Sequence, residues 1–226
     1  LGARLLDAGG RELPDGGGAL VDLAALDLSG LHLRLREVSL TVACDVNNPL
    51  LGEPGAVAIF GPQKGAGEAE RVVLEAGLAR FASLVTEAMR RDDTGLPGAG
   101  AAGGVGYAAQ AVLGAAMRPG VELVLELMGF EALCEGASLV VTGEGSLDRQ
   151  TLLGKTPAGV ARAAQAHGIP VVAVCGRSLL SAEDVAASGI AQVYALTDIE
   201  PDPAVCMSDA ARLLRALSAQ MSRDWL

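Results

Sequence analysis

The stretch LVVTGEGSLDRQTLLGKTPAGVARAA, Leu139–Ala164, decides the fold. Its apolar start predicts a strand over Ser138–Thr142, and its Ala-rich end predicts a helix over Pro157–His167. Between them the chain is dense in Gly and polar groups. Gly143, Gly145 and Gly154 let a backbone come close to a ligand and offer N–H groups. Thr156 suits an N-cap and Pro157 the first helical position. A helix start there adds a partial positive charge that favours an anion. Lys155 supplies an ammonium, while Glu144 and Asp148 can bind Mg²⁺, accept a proton or order a hydroxyl. Asp148, Glu144 and Lys155 are therefore the catalytic candidates, with Asp148 and Glu144 also the metal candidates. Gly143, Gly145, Gly154 and Thr156 are nucleotide-binding candidates. The plainer alternative is that both carboxylates cap turns and that Lys155 is a solvated charge. Three glycines, a strand end and a helix start in one place weigh toward a site.

Outward from this junction the pattern stays regular. Strands are expected at Val171–Cys175 and Ala191–Leu196, and helices at Ala182–Ser188 and from Pro203 onward. Strands alternating with helices mean parallel βαβ units, whose ligands bind beyond the carboxyl ends of the strands. Toward the N-terminus the order is a hairpin over residues 1–14, a helix over Ala19–Leu26 and a strand over Val38–Cys44. Helices come next at Ala56–Phe60, Glu68–Arg90, Gly104–Met117 and Val121–Leu127. Leu74, Leu78, Phe81, Val85 and Ala88 recur at helical intervals, which makes the long helix legible. The expected fold is α/β in two domains with a boundary near residue 118: a smaller mixed-sheet domain over 1–118 and a parallel-sheet domain over 119–226.

Composition narrows the function. The 226 residues are half apolar, enough for real cores. A formal charge of −10 disfavours nucleic acid and anionic membranes as partners, and no apolar run approaches a membrane span. Cys44, Cys134, Cys175 and Cys206 are scattered without a CxxC pair, which reads as reduced thiols in a cytoplasmic protein. His32 and His167 stand too far apart in sequence to suggest a His-rich metal site or a Ser-His-Asp triad.

Three further stretches carry polar groups or glycine. In CDVNNPLLGEPGA, Asp45, Asn47 and Asn48 come after a strand end, where they can bond the hydroxyls and carboxylate of a small ligand or equally satisfy turn backbone. FGPQKGA sets Lys64 in a Gly-flanked turn. GAGAAG, Gly98–Gly103, matches a dinucleotide fingerprint literally but lacks the preceding strand. It reads better as an anion-binding or hinge loop, with Gly100 and Gly103 as nucleotide-binding candidates. GKT resembles the end of a P-loop, but Arg149 stands where that loop needs Gly.

Taken together, CDVNNPLLGEPGA, FGPQKGA, GAGAAGGVGYA and LVVTGEGSLDRQTLLGKTPAGVA resemble the bacterial type of glycerate kinase, in order and spacing along the whole chain. The resemblance implies ATP-dependent phosphorylation of D-glycerate with Mg²⁺, the 2-position favoured and the 3-position open. It implies two α/β domains, one Rossmann-like, with the active site in the cleft between them. Asp45, Asn47, Asn48 and Lys64 would then be substrate-binding, with Lys155 and Lys64 neutralising phosphate charge. It further implies that this chain lacks an N-terminal portion carrying other active-site groups and holds only the C-terminal half of the Rossmann-like domain. On that expectation the chain alone is poorly active and exposes a sheet edge prone to self-association. Homo-oligomerisation is left open. The alternative reading is a noncatalytic module of the same fold that binds a small hydroxy acid or a nucleotide.

Overall fold

The computed structural model describes residues 1–148 and 156–225. The chain packs as two compact units, Leu1–Arg118 and Pro119–Leu226. Both are α/β, parallel pairing occurs in each, and the described residues form no closed barrel.

In the first unit, β1 (Arg4–Leu6) pairs antiparallel with β2 (Ala25–Asp27). The expected return strand of the hairpin shrinks to one bridge, Leu6 with Glu12, after a turn fixed by the Asp7 carboxylate, which accepts the Gly9 and Arg11 N–H groups at 2.8 and 2.9 Å. The expected helix over Ala19–Leu26 becomes a 3₁₀ turn, Gly17–Asp22, because β1 recruits Ala25–Asp27 as its ladder partner. Then come β3 (Thr41–Ala43), α1 (Ala56–Phe60), a 3₁₀ turn (Pro62–Lys64) and α2 (Glu68–Met89). At the start of α2, Glu70 accepts the Gly67 N–H at 2.6 Å, and Arg90 ends the helix with φ 54°. The expected helix over Gly104–Met117 is cut short. It forms only as α3 (Val105–Ala111), and the chain turns at Gly114, φ 68°, into β4 (Ala116–Arg118), which pairs parallel with β3. Pairing with a distant strand overrides local helix preference there. Leu50, Leu78, Val85 and Tyr107 form the core. The Tyr107 ring meets Phe81 edge-on at 5.9 Å, and its hydroxyl donates to the Ala82 carbonyl at 3.3 Å.

The second unit opens with α4 (Gly120–Leu127) and α5 (Phe130–Leu133). Its sheet has the order β5 (Val140–Leu147), β6 (Val171–Ser178), β7 (Gln192–Ala195), all parallel. The connecting helices are α6 (Thr156–Gln165) and α7 (Ala182–Ala187). After β7 a 3₁₀ turn, Leu196–Asp198, leads to α8 (Pro203–Ser208) and α9 (Ala210–Trp225). The central strand β6 is apolar on both sides, as burial on two faces demands. Val171, Ala173 and Cys175 join Ala161 and Ala164 of α6 in one core, whereas Val172 faces Leu213 and Leu217 of α9 in another. Gly159 fixes how closely α6 meets α4, since a Cβ there would sit 2.4 Å from the Val121 methyl. Trp225 anchors the end of α9: its Nε1–H donates to the Tyr194 hydroxyl at 3.0 Å, and that hydroxyl donates to Asp224 at 2.9 Å.

Candidate active site

Strand β5 runs on to Leu147, past the Thr142 end that local sequence suggests, and this moves several candidates from loop into ladder. Gly143, Glu144 and Gly145 lie inside the strand, with Gly143 beside Val174 and Glu144 beside Cys175 of β6. A Cβ at Gly143 would come within 2.3 Å of the Val174 carbonyl oxygen, so this glycine allows two backbones to approach. Gly145 has open space around its Cα. Along β5, Val141, Gly143 and Gly145 form an exposed face, and Glu144 and Ser146 lie half-buried on the other.

The register lines up Glu144, Cys175 and Ala195 across the three strands. Asp198 closes the row by accepting the Ala195 N–H at 3.2 Å. Burial, with the Asp198 carboxylate and then Glu144 adding repulsion, pushes the Cys175 thiol up to about 12. Cys175 therefore keeps its proton and is no nucleophile. Two residues further along the register, the Arg177 Nε–H donates to the Ser146 hydroxyl at 3.0 Å, which places a guanidinium at the carboxyl end of β6. Asp148 comes directly after the fully buried Leu147. Asp198 and Arg177 were missed by sequence reasoning. The signal for both was position, because each stands at the carboxyl end of an apolar strand.

Among the described residues α6 begins at Thr156. Gly154 and Lys155 lie outside the described residues. Glu144 lies inside β5, and Asp148 follows directly after its end. Among the described residues, no three His, Cys, Asp or Glu side chains come together as a metal set.

The first unit has a cavity of about 520 Å³, and of its candidates Lys64 and Gly103 line it while Asp45, Asn47, Asn48 and Gly100 do not. Val46, between Asp45 and Asn47, lines it too. Asn48 is largely a brace: its Nδ2–H donates to the Pro54 carbonyl at 2.9 Å, and its own carbonyl accepts the Gly100 N–H at 2.9 Å. Gly100 is buried, and a Cβ there would meet the Pro49 oxygen at 2.4 Å, so its role in the fold is close packing. Glu75 of α2 holds the same segment by accepting the Gly52 N–H at 2.8 Å. Asp45, Asn47 and Lys64 are exposed.

The chain is thus an α/β protein, with polar side chains at the carboxyl ends of parallel strands in one unit and a cavity with Lys64 on its wall in the other. The model of the glycerate kinase family matches residues 1–226, and the chain belongs to that family. It is 45% identical over 196 residues to a glycerate kinase of Bacillus subtilis (strain 168), covering 87% of this chain and 51% of the relative. With a glycerate 2-kinase of Escherichia coli (strain K12) it shares 47% identity over 176 residues, 78% of this chain and 46% of the relative. Among solved structures it resembles one described as a glycerate kinase 2 from Salmonella typhimurium LT2, with TM-score 0.71 and 43% identity over 86% of this chain and 50% of that one. The chain thus spans about half the length of the curated relatives it matches. Among the described residues, no helix is long and apolar enough to cross a membrane.

Proposed function

We propose that these residues serve an ATP-dependent kinase that phosphorylates D-glycerate, at the 2-hydroxyl in preference to the 3-hydroxyl. The observation that carries this is the family match along the whole chain, with polar groups at the carboxyl ends of its parallel strands. The name of the Escherichia coli relative supports the 2-position.

Phosphoryl transfer asks mainly for positioning and charge stabilisation. Asp45 and Asn47 bind the hydroxy acid, with Asn48 holding their segment in place. Asp148 or Glu144 accepts the proton of the attacking hydroxyl as the new P–O bond forms and the bond to ADP breaks. Lys155, with Lys64, offsets phosphate charge. Gly145, with Gly154 and Thr156, offers backbone to the transferring phosphates. Asp148 and Glu144 are the side chains that would hold Mg²⁺, which would offset charge on the transferring phosphate. Cytoplasmic placement accords with the scattered thiols and remains part of this reading.

The test is ADP release in a coupled assay with D-glycerate, with ³¹P NMR of the product afterwards. Formation of 2-phosphoglycerate supports the reading, and 3-phosphoglycerate corrects the position. Binding of both ligands without turnover favours the noncatalytic module.

A further inference from the structure

The 520 Å³ cavity of the first unit is within the range of small-molecule sites, but its walls do not suit glycerate. Val46, Val57, Phe60, Leu74 and Leu78 supply an apolar lining. A molecule with more oxygen than carbon would lose water there and find few partners, at a cost of about 2–7 kcal/mol for each unpaired polar group. Lys64 is the one charged side chain on the wall, and it also edges an adjoining groove of about 540 Å³ along α2, where the Glu70 carboxylate is tied to the Gly67 N–H. Among the described residues it makes no ion pair. Ala102 and Gly103 also line the cavity, and Ala102 holds φ 50° although it is not glycine. Such a conformation costs about 1–3 kcal/mol and persists only where its surroundings impose it.

An apolar chamber, a half-buried aromatic ring and an ammonium at the shared edge of an open groove match a molecule with a flat apolar head and an anionic tail. We propose that this cavity seats the base of a purine nucleotide against Phe60, with Lys64 meeting its phosphates. The inference rests on the kinase reading and deepens it by assigning the nucleotide's head to the first unit. Lys64 then belongs to the nucleotide rather than to the hydroxy acid. Phe60 is a specificity-determining residue that touches the base, and the small side chain of Ala66 leaves the chamber room.

Calorimetry on the full-length protein with ADP, adenosine and D-glycerate separates the possibilities. Phe60→Leu keeps apolar volume but removes the ring face, and is expected to weaken ADP and adenosine alike, about 5-fold. Ala66→Phe fills the chamber and is expected to abolish both, with D-glycerate binding unchanged in either variant. Lys64→Ala is expected to weaken ADP about 10-fold and leave adenosine as it was. Thermal melts report folding, and Phe60→Leu decides if Ala66→Phe does not fold. ADP binding that ignores both chamber variants overturns this inference alone. So does competition between D-glycerate and adenosine. A wild-type protein that binds no ADP overturns the kinase reading together with it.

Discussion

The two units hold their candidate site residues by different means. In the second, Glu144 sits in an eight-residue strand whose neighbours are buried and in register. In the first, β3 and β4 are three residues each, too short to fix the chain beyond their ends. The segment after β3 is held instead by side chains reaching back to backbone: Asn48 to Pro54, and Glu75 to Gly52. A ladder repeats one bond type along its length and tolerates the loss of one. A loop braced by a few individual bonds depends on each, but each is worth only about 1 kcal/mol.

The contrast is open to perturbation, beginning where the expected change is largest. Asp148→Asn keeps the shape of the strand end but removes a base, and turnover should fall about 10²–10⁴-fold with D-glycerate binding within twofold. An unchanged kcat would transfer the role to Glu144. Cys175 should react with iodoacetamide about a thousandfold more slowly than a free thiol, given a value of about 12 against an ordinary 9. Below pH 9 folded and unfolded chains both keep this proton. Between 9 and 12 only the unfolded thiol ionises, so stability falls as pH rises through that window. Rapid alkylation at pH 8 would mean that the row Glu144–Cys175–Ala195 is open to solvent. Gly143→Ala forces β5 away from β6 and should cost about 2 kcal/mol in a urea titration, with unit two unfolding first. Asn48→Ala should cost about 1 kcal/mol and raise the KM for D-glycerate more than it lowers kcat. Equal losses in both would make Asn48 a direct ligand.

Legibility in the sequence divides along the same line. The stripe Leu74, Leu78, Phe81 and Val85 specified α2 almost to its ends, because helical spacing is local. The alternation of strands and helices after residue 137 likewise announced a parallel sheet. β5 was read too short because glycine signals loop, whereas Gly143 permits close strand contact and leaves the strand intact. β4 was hidden inside a helical pattern, since only β3 makes it a strand. The cavity is assembled from positions between Gly17 and Gly103, and no local spacing reveals such a gathering. The strand-end and glycine-loop patterns pointed to the polar candidates, but they could not say that Asn48 braces its segment and that Gly100 packs closely. Asp198 and Arg177 carried no motif and became visible only as places in the fold, and Phe60, although it opens FGPQKGA, was singled out only by the cavity.

Phosphoryl transfer itself is the most direct test. Full-length protein incubated with ATP and D-glycerate is monitored by ³¹P NMR, with Asp148→Asn alongside. One phosphoglycerate should appear for each ADP in the wild type, and only a trace in the variant. Inorganic phosphate without phosphoglycerate would contradict the kinase reading, and equal transfer by both proteins would contradict the assignment of the base to Asp148.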